Sequence, residues 1–236
     1  GVDLRRAAVW VEAPVGKLTL GKESEATDGV VDGTGIANTA PATRMLSFRP
    51  LLGGDGLTEN LDLFDGQRLN VLRYDTPTMA GFTASASWSA DGTANAIGDV
   101  SDVYAVALRY FAAFDQVKVA AAAGYRKGEV FHGLDPILNV GVAAFDQETL
   151  SGSASVLHMP SGLFVNVAGG QATFFGGPKI TSWEVMPGIE TKLNSLGKTT
   201  FFVNYSQWKL DGADEDLSYY GGGIVQAIDG AALSLY

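Results

Sequence analysis

The run Phe82-Thr83-Ala84-Ser85-Ala86-Ser87-Trp88-Ser89 alternates without a break, apolar at every even position and Thr or Ser at every odd one. Successive side chains of a strand point to opposite faces, so a strand with this sequence has one greasy and one hydroxylated side. The same rule divides Tyr104-Ala105-Val106-Ala107-Leu108-Arg109-Tyr110 into a large apolar face and a face of alanine with Arg109. Aromatic residues close both ends of that apolar face, where the two interfacial girdles of a membrane barrel lie. Nowhere does the chain hold the roughly 18 consecutive apolar residues that a membrane-spanning helix needs. Unpaired backbone groups are costly in lipid, so a chain of this kind crosses it only as a closed set of strands.

Composition agrees. Only 18% of residues are charged, against 46% apolar and 10% aromatic with 30 glycines among 236 residues, which is poor in charge for a soluble domain. The net charge of −10, with no Lys/Arg cluster, argues against nucleic acid as a partner. The absence of cysteine excludes disulfide frameworks and thiolate metal sites. The two histidines, His132 and His158, fall in a long loop and at a turn, with no spacing that makes a zinc site. No serine, histidine and acid are set together, and Gly21, Gly53-Gly54 and Gly221-Gly222-Gly223 spell no phosphate-binding loop. Neither a cofactor nor a catalytic residue is expected.

Period-two patterning predicts about twelve strands: Leu4 to Glu12, Lys17 to Glu23, Arg68 to Asp75, Phe82 to Ser89, Tyr104 to Tyr110, Val117 to Arg126, Leu150 to Val156, Leu163 to Val167, Trp183 to Thr191, Thr199 to Ser206, Leu217 to Val225 and Ala231 to Leu235. The alanine run from Ala120 to Ala123 is also good helix material. Its neighbours favour a strand, with Lys118, Gly124 and Arg126 inward and Val117, Val119 and Tyr125 outward. Pro187 inside a strand predicts a bulge or local break. Short turns alternate with mostly longer connections, from Ser24 to Gln67, Ala90 to Asp102, Lys127 to Gln147, Ala172 to Ile180 and Leu210 to Asp216. That asymmetry belongs to outer-membrane barrels, whose turns face the periplasm.

Five stretches carry a resemblance: Asp3-Leu4-Arg5-Arg6-Ala7-Ala8-Val9-Trp10-Val11-Glu12; Gly16-Lys17-Leu18-Thr19-Leu20-Gly21-Lys22; Val71-Leu72-Arg73-Tyr74-Asp75-Thr76-Pro77 with Ala80-Gly81-Phe82; Ala107-Leu108-Arg109-Tyr110; and Val117-Lys118-Val119-Ala120-Ala121. In their order and spacing they resemble the Gram-negative general-diffusion porins, especially those of alphaproteobacteria. The resemblance implies an all-β, transmembrane antiparallel barrel of sixteen strands, of which residues 1–236 supply strands four to fifteen as one domain. It also implies a homotrimer in the outer-membrane lipid, and a long loop, here 24–67, folded into the lumen as the constriction. Parity is consistent with an odd number of strands lying beyond each end, because barrel termini are periplasmic. A genuine twelve-stranded barrel is the alternative.

A water-filled channel for passive diffusion of small hydrophilic solutes and ions needs a constriction and fixed charges. The loop offers the acids Asp28, Asp32, Asp55, Glu59, Asp62 and Asp65 with Arg44 and Arg49, and apolar anchors such as Phe48 and Phe64. Arg109, Lys118 and Arg126 point inward by parity, and Arg6 and Arg73 resemble positions where the family places lumen arginines. Arg109 falls near the periplasmic rim, which weakens its claim. Arg5 and Lys22 are outward and expected to snorkel, and Tyr74, Phe82, Trp88, Tyr104, Tyr110, Tyr125, Trp183, Phe201 and Tyr205 to face lipid. Trp10 and Phe202 fall inward, where they pack on the loop or mark a register error. A plugged barrel with a binding or enzymatic role, and a soluble β-sandwich, remain as other solutions to the same pattern.

Overall fold

In this computed structural model the chain is described at residues 5–31, 36–37, 64–89, 100–130, 145–174, 177, 179–212, 216–231 and 233–235. Twelve strands form one sheet in sequential order, each antiparallel to the next: β1 (Ala7–Ala13), β2 (Gly16–Ser24), β3 (Arg68–Asp75), β4 (Phe82–Ser89), β5 (Val100–Ala113), β6 (Val117–Val130), β7 (Phe145–His158), β8 (Leu163–Phe174), β9 (Lys179–Thr191), β10 (Thr199–Leu210), β11 (Leu217–Ile228) and β12 (Leu233–Leu235). A single meander is not a β-sandwich, which needs two packed sheets. Among the described residues β1 and β12 are the two edges, and the sheet is open between them.

The alternation read from sequence sorts the two faces. Leu20, Leu72, Trp88 and Tyr104 pair across β2 to β5 and are all exposed. On the opposite face Thr19, Ser87, Ala105, Arg126 and Thr149 are buried although most of them are small or polar. Rings cluster at both ends of the outer face: Phe82 on Tyr110 at 4.5 Å beside the short turns, and Trp183, Tyr205 and Tyr220 in a ladder at 5.3 and 5.0 Å toward the other rim. Tyr110, Phe201 and Tyr205 are half-buried there, shaded by their neighbours.

Several strands run longer than the alternation predicts. β5 starts at Val100, β6 continues to Val130 and β7 starts at Phe145, so the connections beside them shorten. The largest correction concerns β8, expected to stop at Val167. It runs on to Phe174, and β9 already begins at Lys179, leaving only 175–178 between them in place of the long connection expected from Ala172 to Ile180. Gly169-Gly170 breaks the apolar period, yet both glycines stay in register with β7 and β9. The alanine run lies in β6 as a strand. At Pro187 the ladder to β10 lapses between Phe202↔Gly188 and Tyr205↔Val185 and resumes in the same register, while pairing to β8 is unbroken. It is a local break and not a bulge, as expected where one backbone donor is missing.

The turns show why glycine stands where it does. Gly81 (φ 88°) follows Ala80 (φ 51°) in the β3–β4 turn, and an added Cβ would lie 2.6 Å from Phe111 O. At Gly162 (φ 71°) a Cβ would collide with the Glu190 carbonyl, because Glu190 N donates to Gly162 O at 2.8 Å and holds the two backbones together.

Candidate functional site

The inner face is built in rows by cross-strand pairing. One row is Thr19, Arg73, Ser87, Ala105, Arg126 and Thr149; the next is Asp75, Ser85, Ala107, Gly124 and Ser151; a third holds Thr83, Arg109, Ala122 and Ser153. Arginine therefore occurs on β3, β5 and β6 among small residues, which leaves space above the wall. The segments 25–31 and 64–67, which follow β2 and precede β3, fill that space. They are tied to each other by Glu25 N donating to Gln67 O at 2.9 Å and Gln67 N to Glu25 Oε1 at 2.8 Å. Asp65 Oδ1 accepts from Gly29 N and Val30 N at 2.8 and 3.0 Å.

Each arginine grips this loop. Arg73 Nη1 donates to Ser24 O and Glu25 O, both at 3.0 Å, while its Nε and Nη2 take Asp75. Ser85 Oγ donates to Asp75 Oδ1 at 2.6 Å and receives Arg109 Nη1 at 3.3 Å, which links the two guanidinium groups through neutral and acidic partners. Arg109 Nη2 donates to Ala26 O and Asp28 O, both at 2.8 Å. Its placement near the rim had weakened its claim, but its long side chain reaches the loop. Arg126 Nε lies 2.8 Å from Glu25 Oε1, and the two residues are 3% and 0% exposed. The contact is a buried ion pair. Ser87 Oγ accepts from Ala26 N at 2.8 Å, and Ser153 Oγ donates to Val30 O. Burial pushes the Glu25 carboxyl above its ordinary value, and the attraction of Arg126 only partly offsets this.

Apolar contacts continue the attachment across the sheet. Val30 packs with Ala107 and Ala122, and a Cβ on Gly124 would lie 2.8 Å from Thr27 Cγ2. Val31 and Phe64 cluster with Ala172 on β8. The Phe64 ring fills the place of a Cβ on Gly170, 2.6 Å from Cγ, and meets Trp208 on β10 at 5.8 Å. Ile36 and Ala37 join Leu157, Phe164, Met186, Phe202 and Val225. Phe202 thus packs beside the loop, whereas Trp10 is exposed with Lys17 Nζ over its ring at 5.2 Å. Arg73 on β3 and Trp208 on β10 stand seven strand spacings apart, about 34 Å on a flat sheet. Glu25 and the four residues 64–67 connect them, and four residues reach at most about 14 Å. So short a segment touching both β3 and β10 is what a sheet curled around the loop allows.

The other charges read from the sequence are placed as follows. Arg6 pairs with Glu23 at 2.9 Å and is largely exposed, and Asp28 stands 3.8 Å from Arg68. Lys118 lies on the inner face, half-buried, with no ion pair among the described residues. Asp32, Arg44, Arg49, Asp55, Glu59 and Asp62 lie outside the described residues. Glu25, Gln67, Asp75 and Ser85 were not singled out from the sequence. Asp75 shares the parity of Arg73, a signal that could have found it, whereas Glu25 stands one residue beyond β2 where parity no longer applies.

A curled antiparallel meander, apolar outside and small or polar inside, with a loop bound to its inner face, is the wall of a transmembrane β-barrel. The Gram-negative porin family profile matches residues 1–236, and the chain belongs to that family, whose place is the bacterial outer membrane. Among solved structures it is similar to an anion-selective porin from Comamonas acidovorans, with 18% identity and a TM-score of 0.59, over 95% of this chain and 63% of that one. It is also similar to OmpT, an outer membrane protein of Vibrio cholerae, with 16% identity and a TM-score of 0.58, over 94% of this chain and 64% of that one. A loop L8 deletion mutant of OmpT gives 17% and 0.59, over 96% and 70%. At these identities the likeness is one of fold, and the chain spans under two thirds of the first two proteins. No curated protein matches it in sequence.

Proposed function

We propose that this chain forms the greater part of a water-filled channel for passive diffusion of small hydrophilic solutes and ions, and that the loop 24–67 narrows it. The observation that carries this is the loop held across the inner wall by Arg73, Arg109 and Arg126. In this arrangement the three arginines are posts for the loop, and much of their charge is spent on it. The field in the passage then comes from Lys118, Arg6, Asp28 and Asp65, with Asp32, Arg44, Arg49, Asp55, Glu59 and Asp62 along the rest of the loop. Fixed charges in a narrow aqueous passage set a barrier for ions and orient dipolar solutes. The protein acts as a homotrimer, an extension from OmpT, which is described in a trimer form. Purified protein in planar bilayers gives stepwise, voltage-stable currents; their absence removes the proposal. Neutralising Asp55, Glu59 and Asp62 together shifts the reversal potential in a salt gradient. Asp65 is left intact in that variant, because its carboxylate organises the Gly29 and Val30 amides.

A further inference from the structure

Among the described residues Glu184 on β9 is the one buried carboxylate besides Glu25 of the loop, 4% exposed, and its surroundings differ from those of Glu25. Its one hydrogen-bond partner is Asn204 on β10, whose Nδ2 donates to Oε2 at 3.0 Å, and among the described residues no Lys or Arg pairs with it. Leaving a carboxylate out of water with a single neutral donor is costly. Directly opposite stands Ser206, paired Cα to Cα with Glu184 and 3% exposed, whose Oγ has no hydrogen-bond partner among the described residues. Directly paired residues share a face with Cβ atoms about 5 Å apart. Ser182, two residues earlier on the same face of β9, is equally buried and its Oγ is also unpartnered. On the β8 side the residue opposite Glu184 is Ala168, which packs against the Val31–Phe64 cluster and brings no polar group to the carboxylate. On the β11 side Gly221 makes way for Asn204: a Cβ there would lie 2.3 Å from Asn204 Oδ1. That clearance lets the amide turn its Nδ2 toward Glu184.

These groups are a set of oxygens around one negative charge, with no positive charge paired to it among the described residues. We infer that Glu184, Ser206 and Ser182 bind a monovalent alkali cation, Na⁺ or K⁺, on the inner wall of β9 and β10. Oxygen donors suit hard cations, and a single carboxylate neutralises a single positive charge. Each serine hydroxyl then directs a lone pair to the ion. The site lies between the Phe64–Trp208 contact and the Phe164–Phe202 cluster, so the bound ion steadies the wall where the loop lies on it.

The test compares the full chain, folded in detergent, in NaCl or KCl and in tetramethylammonium chloride of equal concentration. The large organic cation supplies ionic strength but does not fit. At about ten times the dissociation constant, the small ions lower the unfolding equilibrium constant about tenfold, and the half-life against thermal unfolding lengthens by up to that factor, in full when the ion leaves before the barrier. Glu184→Gln keeps an oxygen for Asn204 and abolishes the difference between salts. Equal half-lives in all three salts for the wild-type protein would overturn the inference, as would an undiminished difference in Glu184→Gln. Should that variant not fold, rubidium-soaked wild-type crystals decide: an anomalous peak between Glu184 and Ser206 supports the site, and none there refutes it. Either result is independent of channel conductance.

Discussion

Glu25 meets no solvent, and the ion that faces it, Arg126, meets almost none. Removing one partner of a buried pair leaves the other uncompensated, at a cost of about 3 to 5 kcal/mol. Arg126→Met therefore lowers the thermal midpoint strongly at neutral pH, and Glu25→Leu added to it restores most of the loss; an additive double variant would disprove the pairing. The carboxyl of Glu25 sits above its ordinary value because burial outweighs Arg126. The folded chain then holds this proton more tightly than the unfolded chain. Its contribution is complete below the ordinary carboxylate value and is lost as pH rises through the raised one. Wild type thus loses ground to Glu25→Gln as pH rises above the ordinary carboxylate value, and midpoint curves that stay parallel would contradict this. Arg126 was legible from parity in β6, since Lys118, Gly124 and Arg126 alternate with Val117, Val119 and Tyr125. Its partner was not, because the pairing joins residues about a hundred positions apart and parity says nothing about what lies above a face.

At the scale of elements, faces and turns were readable while strand ends were not. Ends depend on how far neighbouring strands extend, as β5, β6 and β7 show by pairing out to Val100↔Val130 and Val130↔Phe145. In β8 the apolar period ends at Gly169-Gly170, which have no side chain to continue it. The second of these is a socket: Gly170→Ala places a methyl 2.6 Å from Phe64 Cγ, close to the main chain where the ring cannot swing aside. Overpacking of this kind costs about 1 to 3 kcal/mol. Gly170→Ala lowers stability by that amount, and in a Phe64→Ala background the penalty vanishes; a penalty independent of Phe64 would place its cause in the strand itself. Pro187 was read correctly as a fault in β9. Pro187→Val returns a donor to the β10 ladder and gains about 1 kcal/mol, the net worth of one hydrogen bond. Hydrogen exchange reads this as new protection at position 187, and a fast-exchanging amide there would show that the ladder stays open.

For the molecule as a whole, in the channel proposed above, the curl of twelve strands around the loop ties the width of the passage to three side chains. Arg109→Ala frees the carbonyls of Ala26 and Asp28. Together with Arg73→Ala it lets this part of the loop leave the wall, and single-channel conductance rises or becomes noisy in planar bilayers. Conductance steps identical to those of the wild type would mean that the Arg126–Glu25 pair, the serine hydrogen bonds and the apolar contacts suffice to hold the loop. The arginines of β3 and β5 take hold of the loop at Ser24, Glu25, Ala26 and Asp28 through main-chain oxygens, which every amino acid possesses. Attachment and chemistry are thereby uncoupled: the partly exposed side chain at position 28 can be exchanged while the same two guanidinium groups keep their grip. A lineage, or an engineer, can retune what such a passage admits by rewriting the insert and leaving the chassis alone.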